Sequence, residues 1–306
     1  MQDELKFIDF LKWRAWTAGL SAAICLAGLV SLVLQGLNLG LDFTGGTVVE
    51  LGFREEVQTA TISEQLAKAG FESASVVHFG SERDVLVRLP PGESSEVGKQ
   101  VLVAVGGAEV ATMKRTDVVG AQIGDELRDQ GGIAFVVALL LVAAYVAMRY
   151  EWKLATGAIV AIFHDVLVTV GLFSIFQWEF DLAALAAVLS LVGYSINDTI
   201  VIYDRIRENF RKMRRVDRFA VCNVSLTQTL GRTITTSALT QLVVVAMLVA
   251  GGPQLKGFSL ALFVGIIAGS YSTIYIASAL SLWLGLDRKD LLLPAKEDEK
   301  ALAETP

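Results

Sequence analysis

The sequence predicts an α-helical polytopic membrane protein of six transmembrane helices, with a small ferredoxin-like α+β domain between helices 1 and 2. Of its 306 residues 53% are hydrophobic and only 19% charged, a balance too apolar for an ordinary soluble domain. Apolar stretches of about 20 residues, the length that crosses a hydrocarbon core of about 30 Å, occur six times along the chain. Residues 38–127 break that pattern, holding fourteen acidic side chains against seven basic ones.

The N-terminal segment 1–16 carries acidic residues before its basic ones, and the apolar run after it has no small-residue cleavage site, so it is expected to remain as a membrane anchor, with span one at 17–37. Within 38–127, TVVELGF, ASVVHFG, DVLVRLP and AEVATMKRTDVV alternate as strands do, while TISEQLAKAG and SSEVGKQVLVAVGG read as helices. The order βαββαβ is the split βαβ pattern, shared by many unrelated functions. His78 has no cysteine or second histidine near it and reads as a half-exposed strand residue. Spans two to six are predicted at 130–149, 153–176, 182–203, 233–251 and 258–284, with a basic loop at 204–232. The tail 285–306 ends in AKEDEKALAETP, which reads as solvated chain. Span six repeats small residues every four positions at Ala261, Gly265, Gly269, Thr273 and Ala277, a ridge suited to close helix packing.

Lys and Arg collect before span one, around the turn between spans two and three, in the loop after span four and after span six. The positive-inside rule then places both termini in the cytoplasm and residues 38–127 outside. The run NFRKMRRVDR is expected to set this topology and to meet anionic membrane lipid. No nucleic-acid partner is expected. Cys25 and Cys222 have neither metal-ligand spacing nor the pattern of a disulfide framework.

Polar residues inside the spans are the candidate site. An Asp at the centre of a membrane helix costs about 2.5 to 3.5 kcal/mol on the insertion scale, and Asp198 stands inside span four. Helical spacing groups Tyr194, Ser195 and Asp198 on one face, with Asn197 beside them expected to make a helix–helix hydrogen bond. Span five begins with a stripe of Thr229, Arg232, Thr236 and Thr240, and topology puts Asp198 and Arg232 in the same half of the bilayer. Arg232 either pairs with Asp198 or snorkels to the headgroups. In span three, His164 and Asp165 sit near the midplane, where they either relay protons or lock the bundle by helix–helix hydrogen bonds. The sequence has no P-loop, HExxH or GxSxG string, so no enzyme activity, cofactor or metal is expected. The available energy is proton flow, worth about 2.3 kcal/mol per charge per 100 mV.

Several strings together, GLDFTGGTVVEL, EWKLATGAIVAIFHDVLVTVGLF, VGYSINDTIVIYDRIRENFRKMRR, NVSLTQTLGRTITTSALT and GFSLALFVGIIAGSYSTIYIASAL, resemble the SecF family of bacterial protein translocase subunits. The resemblance covers nearly the whole chain. It implies half of a resistance-nodulation-division transporter architecture in the bacterial inner membrane, with 38–127 periplasmic. It also implies a SecD partner, the SecYEG channel and SecA as the wider complex, a preprotein substrate and the proton as coupling ion. In that family the Asp of SINDT and the Arg of GRT are implicated in proton transport, and they fall on Asp198 and Arg232. One departure is VVGAQIGDEL before span two, where Ala121 replaces a usual Pro and so bears on the rigidity of the hinge there. Two other readings stand beside this one: a proton-driven exporter of small molecules or lipids, and a passive channel scaffold in which Asp198 and Arg232 form a structural ion pair.

Overall fold

A computed structural model describes residues 7–79, 81–90, 96–213 and 215–291; the expectation for the tail at 295–306 lies outside them. A 3-10 turn at Phe10–Trp13 leads into α1 (Arg14–Leu34). The helix ends three residues before the predicted limit of span one, at a glycine, Gly36, whose φ is +70°. Next come β1 (Asn38–Leu39), α2 (Leu41–Thr44), β2 (Gly46–Phe53), α3 (Thr59–Lys68), β3 (Ser75–Phe79), β4 (Ser81–Leu89), α4 (Val97–Ala104) and β5 (Ala111–Val119).

Strands β2 to β5 form one antiparallel sheet in the order β3-β4-β2-β5, which is the ferredoxin-like arrangement expected. Side chains alternate across it with the strand period of two. Val49, Leu51 and Phe53 of β2 and Val85, Val87 and Leu89 of β4 turn to one face, where Ile62 and Leu66 of α3 and Val97 and Val101 of α4 complete the core. His78 is exposed on β3, the edge strand.

Glycines hold the domain to the bundle. Gly45 and Gly46 take φ of +64° and +123°, angles that cost an L side chain roughly 1 to 2 kcal/mol. A Cβ on Gly46 would collide with the Leu89 carbonyl oxygen, and one on Gly45 would come within 2.8 Å of the Ala121 Cα. Gly46 of β2 also pairs with Val119 of β5, so the chain leaves and rejoins the membrane part at one place. A second attachment is the parallel pairing of β1 with β6 (Glu179–Phe180), next to an ion pair of Arg88 with Glu179.

The remaining helices are α5 (Ala121–Arg149), α6 (Trp152–Phe176), α7 (Leu182–Lys212), α8 (Arg218–Ala250) and α9 (Lys256–Ser272). A π-helical turn at Thr273–Ala277, α10 (Ser278–Trp283) and α11 (Arg288–Leu291) follow. Among the described residues six helical stretches are long and apolar enough to cross a membrane. Helix α5 begins nine residues before predicted span two, at Ala121, the first helical position, where Pro is favoured but not required.

The predicted basic loop 204–232 is instead mostly helix. Only residues 213–217 separate α7 from α8, because the charged run satisfies itself along the helix. Glu208 accepts from Arg205 at 2.8 Å and from Lys212 at 2.6 Å, spacings of three and four that favour helix. The Asn209 amide donates to Ser225 at 2.8 Å and to Gln228 at 3.0 Å, joining the two helices, and the Asp217 carboxylate caps α8 by accepting from the Phe219 amide at 2.9 Å.

Helices α6, α7 and α9 form the centre. Half of the most apolar stretch of α6 and 44% of that of α7 are buried, against 6% for α5 and 11% for α8. Small residues bring the central helices together. The α9 ridge packs on α7, where a Cβ on Gly269 would lie 3.2 Å from the Ser195 Cβ, and α1 crosses α6 with Gly28 against Gly171.

Candidate functional site: a buried polar column and an unpartnered carboxylate

Ser195, Thr199 and Tyr203 recur every four residues on α7, so they line one face, and that face turns inward against α6, α9 and the π turn. Ser195 donates to the Asp165 carboxylate at 2.5 Å. Thr199 meets Thr273 at 3.2 Å. The Tyr203 hydroxyl contacts the Ala277 carbonyl and Ser281, each at 3.2 Å. The approach is close enough that a Cβ on Gly157 would lie 2.6 Å from the Tyr203 hydroxyl.

Asp165 is the hub of this column. It is 1% exposed, and its Oδ2 accepts from Ser195 and, at 2.8 Å, from Ser272. Its Oδ1 lies 2.9 Å from the His164 Nδ1. Neighbouring residues point about 100° apart on a helix, yet the imidazole folds back far enough to reach the carboxylate. The His164 ring also lies beside that of Tyr271, with centroids 6.1 Å apart, and the Tyr271 hydroxyl donates to the Thr17 carbonyl of α1 at 2.7 Å. Asp165 thus ties α6, α7 and α9 together in the way membrane helices use polar groups.

Asp198 has a different environment. It is 4% exposed, and its Oδ2 is buried with no hydrogen-bond partner among the described residues. The face predicted for Tyr194, Ser195 and Asp198 divides, since residues 194 and 195 flank position 198 on opposite sides. Ser195 bonds to Asp165, while Tyr194 donates to Ser237 of α8 at 3.2 Å, and Ser237 meets Ser270 at 2.9 Å.

No salt bridge within 4.0 Å joins Asp198 to Arg232 among the described residues, a correction to the pairing allowed by topology. Arg232 is exposed on α8, and its guanidinium reaches no carboxylate of the described residues within 4.0 Å. The threonine stripe beside it is satisfied within its own helix, Thr236 donating to the Arg232 carbonyl at 3.0 Å and Thr240 to the Thr236 carbonyl at 2.9 Å. Asn197 is exposed and makes no side-chain hydrogen bond to the described residues, contrary to the helix–helix bond expected of it. Ser272, Ser237 and Ser281 escaped the sequence reading. For Ser272 and Ser281 the one signal is that small residues crowd the last span, which the ridge explains without them, and Ser237 sits among the threonines of α8, which read as a stripe without it. Among the described residues no cluster suited to a metal ion is present.

Two family models match the chain. One, protein export membrane protein SecD/SecF, C-terminal, matches residues 99–287, and the other, the SecD/SecF GG motif, matches residues 30–57, which contain Gly45 and Gly46. The protein translocase subunit SecF of Pseudomonas aeruginosa is 46% identical over 301 residues, covering 97% of this chain and 98% of that one. That of Escherichia coli O157:H7 is 43% identical over 302 residues, covering 97% and 94%. The protein translocase subunit SecDF of Brucella abortus is 37% identical over 92% of this chain and 38% of its own. Among solved structures, SecDF from Thermus thermophilus, described as a translocon-associated membrane protein, superposes with a TM-score of 0.84 at 36% identity over 91% of this chain. SecDF in a super-membrane-facing form gives 0.69 at 34% identity over 97% of this chain. This chain spans 39% and 40% of those two longer chains.

Proposed function

The chain belongs to the SecD/SecF family of protein export membrane proteins and is a multi-pass inner-membrane auxiliary subunit of protein export; from that premise we propose that a proton passing through Asp198 drives its work. One observation supports this above the others: a carboxylate oxygen buried inside a membrane helix without a hydrogen bond. An ionised carboxylate in that position is costly. A bound proton removes the charge, and a rearrangement of α7 against α8 that opens Asp198 to water or to Arg232 restores it. The two protonation states therefore favour different arrangements of the bundle, and the domain at 38–127 moves with them through its attachment to α5.

In this reading Asp198 carries the proton, Arg232 helps to release it, and Tyr194, Ser195, Asn197 and Thr236 surround the path. His164 and Asp165 are assigned to holding the bundle, since all the polar atoms of that carboxylate already have partners. Partnership with SecD is supported by the SecDF relatives, whose chains are more than twice as long as the part matched here. SecYEG, SecA and a preprotein complete the assembly, with the termini in the cytoplasm and residues 38–127 outside, as the Lys and Arg distribution favours. The relatives are translocase subunits, which decides against the exporter. The scaffold reading required an ion pair between Asp198 and Arg232, and no salt bridge within 4.0 Å joins them among the described residues.

The test is Asp198→Asn in inverted membrane vesicles containing the SecD partner, with preprotein uptake measured with and without a proton gradient. Uptake is expected to lose its dependence on the gradient. Uptake that still responds to the gradient as the wild type does would overturn the proton-carrier role.

A further inference from the structure

At about 1.5 Å per residue, Asp204 lies about 33 Å along α7 from Leu182. That exceeds a hydrocarbon core of about 30 Å, so residues 204–212 of α7 stand at the depth of lipid headgroups. At this depth Arg149, at the end of α5, and Asp204, Arg207, Glu208, Arg211 and Lys212 of α7 line a cavity of about 430 Å³.

Four cations and two carboxylates line it, and both carboxylates are already engaged. Asp204 accepts from Arg149 at 3.3 Å and from the Tyr150 hydroxyl at 3.1 Å. Glu208 is taken by Arg205 and Lys212. Arg207 and Arg211 are left without a carboxylate among the described residues. The Arg207 guanidinium is held over the Tyr150 ring at 5.6 Å, and its Nε is buried with no acceptor. Among the described residues Arg211 reaches the Leu291 carbonyl, at 3.5 Å.

Helix α5 supplies the other half of a lipid site. Val137, Leu141 and Tyr145 are exposed on it at intervals of four, and Arg149 is the next residue in that series. They form an apolar stripe on one helical face that ends at the cationic cavity, and its length matches an acyl chain below a headgroup.

We propose that this cavity binds the headgroup phosphate of an anionic phospholipid, with Arg207 and Arg211 as the principal ligands, Arg149 beside them and an acyl chain along the α5 stripe. The lipid bridges the end of α5 to α7, two helices whose other contacts with each other are few.

The test uses the full chain purified with its SecD partner and exchanged into nanodiscs of phosphatidylcholine containing a minor fraction of phosphatidylglycerol. The phosphatidylglycerol retained per complex after detergent extraction is counted by native mass spectrometry. Loss of basic side chains near a membrane surface weakens anionic-lipid binding about fivefold each, so R207Q/R211Q is expected to lower retention about 30-fold. R215Q/R218Q, which removes the same charge from the basic run but outside the cavity, should lower retention far less. Equal loss in both double variants would mean diffuse attraction of the basic end and would overturn the site, as would no loss in either.

R207K/R211K keeps the charge and serves as the folding control. Retention within a few fold of wild type supports the site. A loss as deep as that of R207Q/R211Q, without any change in melting temperature, would overturn the assignment to headgroup charge. Millimolar inorganic phosphate is added in a parallel arm. Displacement of the lipid by phosphate alone would show a free-phosphate site and overturn the lipid assignment. Co-purification of an acidic protein in place of the lipid would do the same.

Discussion

Gly46→Ala is expected to loosen the outer domain where it joins the bundle, by more than the loss of a glycine alone. Two costs add at this position. The φ of +123° is unfavourable for any L side chain by roughly 1 to 2 kcal/mol. The new Cβ also meets the Leu89 carbonyl oxygen, a backbone atom held by the pairing of β2 with β4, and relieving such overpacking costs about 1 to 3 kcal/mol. The sum is about 2 to 5 kcal/mol. Gly70→Ala is the internal control, because Gly70 has φ of +99° but nothing within 4 Å of its Cβ position, so only the first cost applies. Amide hydrogen exchange at Val49 and Leu51, measured on the full chain, reads both. Since about 1.4 kcal/mol is tenfold, the extra cost of about 1 to 3 kcal/mol should make exchange in the Gly46 variant exceed that in the Gly70 variant by roughly 5-fold to 140-fold. Equal exchange in the two variants would refute the steric argument.

Ser272→Ala removes one of the two hydroxyl bonds to the Asp165 Oδ2 and should lower stability to detergent unfolding by about 0.6 to 1.7 kcal/mol, the range found for polar contacts between membrane helices; no change would remove Asp165 as the hub. The hydrogen bond from Lys114 holds the Asp84 carboxyl below its ordinary value. That contribution is complete above the unfolded value of about 3.9 and is lost as the pH falls through the lower folded value, so the acid limb of domain exchange should flatten in Asp84→Asn, by about 0.2 to 1 kcal/mol for a pair of this exposure. Burial raises the Glu179 carboxyl, with Arg88 opposing it. Removing that counter-charge with Arg88→Ala should broaden the distance distribution between spin labels at Ser75 and Gln254, and an unchanged distribution would mean that the glycine seats and the β1–β6 pairing hold the domain without the ion pair.

The membrane architecture was legible because hydropathy reports the surroundings of a helix, and the outer fold because strand alternation survives in short runs such as TVVELGF. Hydropathy does not report where a helix stops. The charged run after Tyr203 therefore read as a loop, although Arg205, Glu208 and Lys212 pair along it as a helix continuing into water. Asp198 stood out by its cost in lipid. The company it keeps did not, because a spacing of three or four groups residues within about 100° of one another, and that width is enough to send Tyr194 to α8 and Ser195 to α6. Ser272 was invisible for a related reason: a serine among small residues looks like packing until the helix opposite supplies a carboxylate. The same ambiguity applied to Arg232, whose direction from α8 the spacing alone does not give.

The pairing of Gly46 with Val119, beside the seat of Gly45 on Ala121, makes the outer domain an exchangeable cassette. Its two ends sit one strand spacing apart, about 5 Å, so the six helices experience the whole sheet as though it were a tight turn. Residues can be gained or lost between positions 46 and 119 without altering the spacing of α1 and α5, provided that the first and last strands still pair. The same geometry gives the cassette a fulcrum beside α5, with the Arg88–Glu179 ion pair as a second restraint, so a rotation of α5 in the bilayer is delivered to it as tilt about that point.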